Sequence, residues 1–246
     1  MPPSDPARLH ALTAELGSKP SYAIGDRRLP SPVSTEDAAR IATGLSHEVD
    51  DGVRMRAKLA EMRRLHIHCH AGCNACCNVV VMTWAPEAER VAEYLRQPKN
   101  AAARAHFEAQ YRRWRDGLAD VLPELSARSA DHRNQAPYFD LLAEATRRRV
   151  LCAFDRDGRC VIYGVRPLGC RNAHALDTSA RCAGDHPDGA KAAAVEFEPL
   201  DGFMVDATRL LRAVHNSMDH THTHIRRHHA EALCQAVARR LGIESE

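Results

Sequence analysis

The chain has 246 residues, 44% hydrophobic and 27% charged, which is the composition of a globular domain and not of a disordered tail. Its 34 basic residues against 32 acidic ones leave a formal charge of +2, too weak a field to suggest a nucleic-acid or anionic-membrane partner. No run is apolar enough to cross a bilayer, and Met1 to Leu12 carries no leader pattern, so the expectation is a cytoplasmic protein without a membrane or nucleic-acid partner.

In chain order, residues 1–33 are proline-rich and read as an N-terminal extension with at most one short helix over 6–16. Residues 34–246 read as a single, mainly α domain. Ser34-Thr35-Glu36-Asp37 has the form of a helix start, and Ile41, Leu45, Val49, Met55, Leu59 and Met62 continue at helical spacing. Asp51-Gly52 is a candidate break into two helices. Val79-Val80-Val81 predicts a short extended segment, and Pro86 opens a helix through Ala88, Val91 and Leu95 that stops before Pro98. Phe107, Tyr111, Trp114 and Leu118 form one face of the next helix, a core stripe, and a further helix is expected over 137–149. Asp157-Gly158, between Leu151 to Phe154 and Cys160 to Tyr163, is a hairpin signal. From Gly164 to Gly189 the chain is too irregular to stand without a crosslink. Helical spacing returns at Leu210, Leu211 and Val214 and again at Ile225, Leu233 and Val237.

Nine cysteines are the distinctive feature. In a reducing compartment, clustered thiols point to metal or redox chemistry before structural disulfides. Cys69, Cys73, Cys76 and Cys77 form one group; Cys152, Cys160, Cys170 and Cys182 form a second, separated from the first by 74 residues. Cys73-Asn74-Ala75-Cys76 is a C-x2-C, whose sulfurs can curl around one metal. Cys77 follows at once, and neighbouring side chains tend to diverge, so it is expected to meet a second metal, another iron of a cluster, or the core. Cys234 stands alone in a helical pattern and reads as a small buried hydrophobe.

The ordered elements Cys69-His70-Ala71-Gly72-Cys73-Asn74-Ala75-Cys76-Cys77, Val79 to Glu87, Cys152-Ala153-Phe154, Gly158-Arg159-Cys160-Val161-Ile162-Tyr163 and Arg166-Pro167-Leu168-Gly169-Cys170-Arg171 resemble the CxxCxxCC family of YkgJ-type zinc- or iron-chelating proteins. The cluster is also similar to that of FliB-type lysine methylases. The resemblance covers about 69–182 and departs from the family in placing three residues, not two, between Cys69 and Cys73. By matched position it implies Cys73, Cys76, Cys77, Cys152, Cys160 and Cys170 as metal ligands, with Cys69 and Cys182 as further candidates. Arg166 and Arg171 would stand just outside the ligands, offsetting thiolate charge and donating N–H to sulfur.

All-sulfur ligation suits both zinc and iron–sulfur clusters. Only one C-x2-C knuckle is present, the later spacings of seven, nine and eleven residues are loose, and six to eight thiols exceed one mononuclear zinc site. The balance tips toward an Fe–S cluster over Zn2+. An Fe–S centre would suit an oxidoreductase or a protein-modifying enzyme; a closed zinc site would suit a structural module that mediates protein interaction. A third reading comes from Cys69-x3-Cys73-x2-Cys76, the cluster spacing of radical SAM enzymes, although Ala75 stands where an aromatic is usual and no strand–helix alternation follows. His66, His68 and His70 near the cluster, and His174 four residues after Cys170, are candidate neighbours of the site. His220, His224 and His228, with Glu231, would share one helical face. Arg112, Arg113, Arg115 and Arg147 to Arg149 read as solvated faces.

Overall fold

A computed structural model describes residues 32–70, 72–129, 135–175, 179–182, 198–218 and 229–244. Ser34 starts the first helix as expected: its hydroxyl accepts the Asp37 N–H at 3.0 Å, and α1 then runs over Thr35–Met62. Asp51-Gly52 does not break it. One helix of 28 residues passes through, and Gly52 serves packing instead: a Cβ there would lie 2.7 Å from the Leu200 side chain. The glycine lets another helix approach closely, and that contact outweighs its poor helix propensity.

Strand β1 is Met82–Thr83, one step beyond the valine run, and pairs antiparallel with β4, Glu231–Ala232. Helix α2, Ala85–Arg96, follows with Pro86 in its first turn. Helix α3, Ala101–Asp116, buries Phe107, Tyr111 and Trp114 on one face, and Leu118 just past its end is also in the core. A short α4, Leu122–Arg128, intervenes where no element is expected from the sequence; α5 spans Ala136–Arg147. Strands β2, Asp155–Arg156, and β3, Arg159–Cys160, make the hairpin. Asp157 and Gly158 both take positive φ, 54° and 79°, the conformation of a two-residue turn that matches strand twist.

The Gly164 to Gly189 stretch contains a further unexpected helix, α6, Leu168–Asn172. Helix α7 spans Glu198–Ser217, and α8, Leu233–Arg240, follows β4 directly. The protein is thus mainly helical, with two small antiparallel strand pairs, among the described residues. No described helix is long and apolar enough to cross a membrane. The helix expected over 6–16, residues Ile225, His220, His224 and His228, and most of 1–33 lie outside the described residues. Glu231 is on no shared helical face with those histidines. It sits in β4, buried, with Arg239 at 2.5 Å.

Besides a small cluster of Val33, Ala38, Ala85, Val214 and Met218, the core has two large apolar clusters. One joins α2, α3, α4 and α8 with the hairpin residues Phe154 and Ile162. The other joins α1 and α7 with Trp84 and Leu168. A buried ion pair between Glu89 and Arg240, 2.6 Å apart, fastens α2 to α8. The cysteine segments hang on this frame: Cys69 to Cys77 precede β1, Cys152 and Cys160 belong to the hairpin, and Cys170 lies in α6.

Candidate functional site

The two cysteine segments, remote in sequence, are joined through their backbones. Cys77, on a 3-10 turn over Ala75–Asn78, accepts the Cys152 N–H at 2.8 Å. The hairpin tip also touches the first segment. A Cβ on Gly158 would lie 3.0 Å from the Gly72 carbonyl oxygen, so this approach requires glycine in addition to its positive φ. The Ala75–Asn78 turn packs against a second 3-10 turn, Ser179–Cys182, which brings Cys182 to the same place. Cys69 is held from the other side: its Sγ accepts the Ala175 N–H at 3.1 Å, while the His68 N–H reaches the Ala175 carbonyl at 2.9 Å.

Cys170 is presented by a short helix whose position is over-determined. Glu87, buried near the start of α2, accepts the Leu168 N–H with Oε1 at 2.8 Å; its Oε2 accepts the Thr83 hydroxyl at 2.7 Å and the Trp84 N–H at 3.4 Å. One carboxyl group thereby ties β1, α2 and α6 together. Arg171 directs its three nitrogens to Arg166 O at 2.8 Å, Gly164 O at 2.5 Å and Asp50 Oδ2 at 2.5 Å. Arg171 thus locks the turn that carries Cys170. Arg56 of α1 grips the far end of α6 through Asn172 Oδ1 at 2.7 Å and reaches Asp201 of α7 at 2.6 Å.

Arg166 is placed differently. Its guanidinium stacks on the Tyr163 ring at 4.1 Å, and its positive charge favours the ionised forms of Cys69, Cys76, Cys160 and Cys170. The Arg166 Nε and the Asp155 Oδ2 are buried without a hydrogen-bond partner. An N–H donor without an acceptor, on a side chain whose charge reaches four of the thiols, suits a site that gains anionic sulfur when occupied.

The thiols are close enough to oppose one another's ionisation. Burial first, then the charge of Cys152, pushes Cys160 up to about 11. Burial, followed by the charges of Cys76, Cys69 and Cys73, raises Cys182 to about 11 as well. Cys170 is raised by burial and then by Cys152, Cys76 and Cys160. Cys69 is also raised, chiefly by burial. Cys76 and Cys77 do not diverge as expected: the Cys77 thiol donates to Cys76, which lowers Cys76 and raises Cys77.

Cys234 is buried in the α8 core, as expected of a small hydrophobe, but its Sγ lies 3.7 Å from Cys152 Sγ. It therefore backs the site from the core side. Its lone position in the sequence hid this, because the contact depends on how α8 packs on the hairpin. His174, with Nδ1 3.2 Å from Asn172 O, is lowered chiefly by burial. Among the described residues, no group of three or more His, Cys, Asp or Glu side chains stands in position to hold a metal ion. The fold brings both cysteine segments near Arg166, whose charge reaches Cys69, Cys76, Cys160 and Cys170.

Searches of protein-family models, curated proteins and solved structures found no match to this chain.

Proposed function

We propose that this protein binds metal through the thiolates of its two cysteine segments, as an iron–sulfur cluster or as zinc. The observation that carries the reading is the hydrogen bond from Cys152 N–H to Cys77 O, which brings two cysteine groups 74 residues apart into one neighbourhood. Cys69, Cys77, Cys152, Cys160, Cys170 and Cys182 are raised by burial and by neighbouring thiols, an arrangement that is unfavourable for their ionised forms without a cation and that a bound cation relieves. The all-sulfur donor set suits zinc and Fe–S clusters and excludes hard oxygen-seeking ions. Loading requires the thiols to rotate toward a common centre, a side-chain movement within an otherwise fixed backbone cradle.

The surplus of thiols over one mononuclear site favours an Fe–S cluster, and with it electron transfer or the modification of a protein or small molecule. The resemblance of Cys69 to Cys77 and of Arg166 to Arg171 to the CxxCxxCC family supports the same chemistry. If every coordination position is filled by thiolate around zinc, the centre is a structural staple and the protein an interaction module. The radical SAM reading draws no support from the two short antiparallel strand pairs among the described residues.

Total metal, acid-labile sulfide and the visible spectrum of anaerobically purified protein test the proposal. Brown protein with iron and matching sulfide identifies an Fe–S protein. Colourless protein with stoichiometric zinc identifies the module. Metal-free protein, after reduction and with chelator avoided throughout, overturns the proposal.

A further inference from the structure

Arg156 and Arg159 face each other across the hairpin. They are register partners on β2 and β3 and both are exposed, whereas their strand neighbours Asp155 and Cys160 are half-buried. Side chains alternate between the two faces of a strand pair. One face of the hairpin therefore carries Cys160, and the other presents two guanidinium groups outward. Among the described residues neither arginine side chain makes a hydrogen bond or an ion pair, not even with Asp157 in the turn between them. Like charges directly opposite on a strand pair destabilise it, where opposite charges would add to its stability. Elsewhere an exposed arginine is answered by a carboxylate on its own helix: Arg40 by Asp37, Arg104 by Glu108 and Arg128 by Glu124. The hairpin does the reverse.

The arginine pair stands on a fixed support. The close approach of Gly158 to Gly72 holds the tip, Phe154 stacks on Phe107, and His106 Nε2 of α3 lies 2.7 Å from the Asp155 carbonyl oxygen. At the two chain ends of the hairpin, large apolar side chains are exposed: Leu151 at 45% and Tyr163 at 58%, the latter with the Arg166 guanidinium on its ring. Arginine and tyrosine are the residues that anchor protein interfaces, and a rigid support lowers the ordering cost of using them.

Spacing and sign identify the partner. Directly opposed strand residues stand about 5 Å apart at their Cα atoms. Carboxylates three or four residues apart on a helix have Cβ atoms about 5–6 Å apart, and each can accept two parallel bonds from one guanidinium. Two arginines, on a chain of formal charge +2, are too few for a nucleic-acid backbone, which is met by a row of phosphate contacts.

We infer that the outer face of the hairpin, Arg156 and Arg159, docks a partner protein through an acidic helix, with Leu151 and Tyr163 as apolar flanks. The inference goes beyond metal binding and does not depend on it. Because Cys160 lies on the other face of the same strand pair, the partner is held against the element that carries this thiol.

The test titrates the full-length protein into a fluorescein-labelled, alanine-based helical peptide with glutamates four residues apart, read by fluorescence anisotropy at low salt. The wild type is expected to bind it at least about five-fold more tightly than an isomer with its glutamates two residues apart, which do not share a face. Arg156→Glu and Arg159→Glu each place opposite charges across the hairpin. Either should weaken peptide binding at least about ten-fold and yet raise Tm by about 1–4 °C. A variant stabilised in this way has not lost binding through misfolding. No binding by the wild type, equal binding of the two peptides, or binding that survives both substitutions overturns the inference. So does a Tm that rises in neither variant, because the two arginines then do not oppose one another. A mixed-sequence single-stranded DNA that binds the wild type more tightly than the peptide, and is lost in the same variants, replaces the acidic helix with a nucleic acid and overturns the assignment.

Discussion

Phe154 lies face to face on Phe107, with ring centroids 4.4 Å apart and planes 9° from parallel, and both rings are fully buried. Phe107 belongs to the core stripe of α3, whereas Phe154 sits between Cys152 and Cys160 in the hairpin. The stack is therefore a direct mechanical link from the helical core to the cysteine centre.

Phe107→Ala is expected to cost about 3–5 kcal/mol through lost burial and the cavity left behind. Metal content should fall with it, because the hairpin loses its seat. Urea unfolding alongside metal analysis checks both. A variant that loses stability and keeps full metal would show that the hairpin holds its place without the stack.

Arg171 is 4% exposed and serves two carbonyls and one carboxylate. Arg171→Leu leaves the Arg166 carbonyl without this donor and unpairs Asp50, which is about one-third exposed and so partly rescued by water. The expected loss is about 3 kcal/mol, and lysine should not restore it because one ammonium cannot reach three diverging acceptors. Equilibrium unfolding of both variants measures this.

Arg166 is expected to act on the centre itself. Arg166→Gln should weaken metal retention by about 10–100-fold in a chelator competition, with an unchanged far-ultraviolet spectrum. Arg166→Lys should recover part of the effect, returning the charge without the planar stack on Tyr163. Equal retention in all three proteins would reduce Arg166 to a stacking residue.

Glu87 gives a pH dependence outside the cysteines. Burial raises its pKa above the ordinary carboxyl value, against the opposing hydrogen bonds from Leu168, Thr83 and Trp84 and the charge of Arg90. The folded state therefore binds the proton more tightly than the unfolded chain does. Its contribution is fullest below the ordinary carboxyl range and is lost as pH rises through the raised value, by about 1.4 kcal/mol for each pKa unit of the shift. Relative to Glu87→Gln, the wild type should lose stability as pH rises from the ordinary carboxyl range through the raised value. A stability difference that stays constant with pH would mean that Glu87 ionises as it does in water.

Most helices were legible in the sequence because their signals are local. Ser34 bonds to a backbone group three residues on, Pro86 needs only the first turn of α2, and the Phe107, Tyr111, Trp114 stripe repeats with the helix period. Asp157-Gly158 declared its turn because few other residues accept two consecutive positive φ values. Helices α4 and α6 were not legible, since seven and five residues are too few to establish a period.

Sequence alone determined which atoms are available to the candidate site: nine thiols, eight of them in two groups, with arginines beside them. Only the tertiary structure decided their arrangement. Gly52 read as a break and became a contact, because its neighbour Leu200 comes from a helix nearly 150 positions away in the chain. Cys234 read as solitary and lies against Cys152; Arg171 read as a partner of sulfur and holds a turn. Spacing specifies what a residue can reach along its own element. Which carbonyl, carboxylate or thiol it meets depends on how separate elements pack, and that is set by burial summed over the whole core.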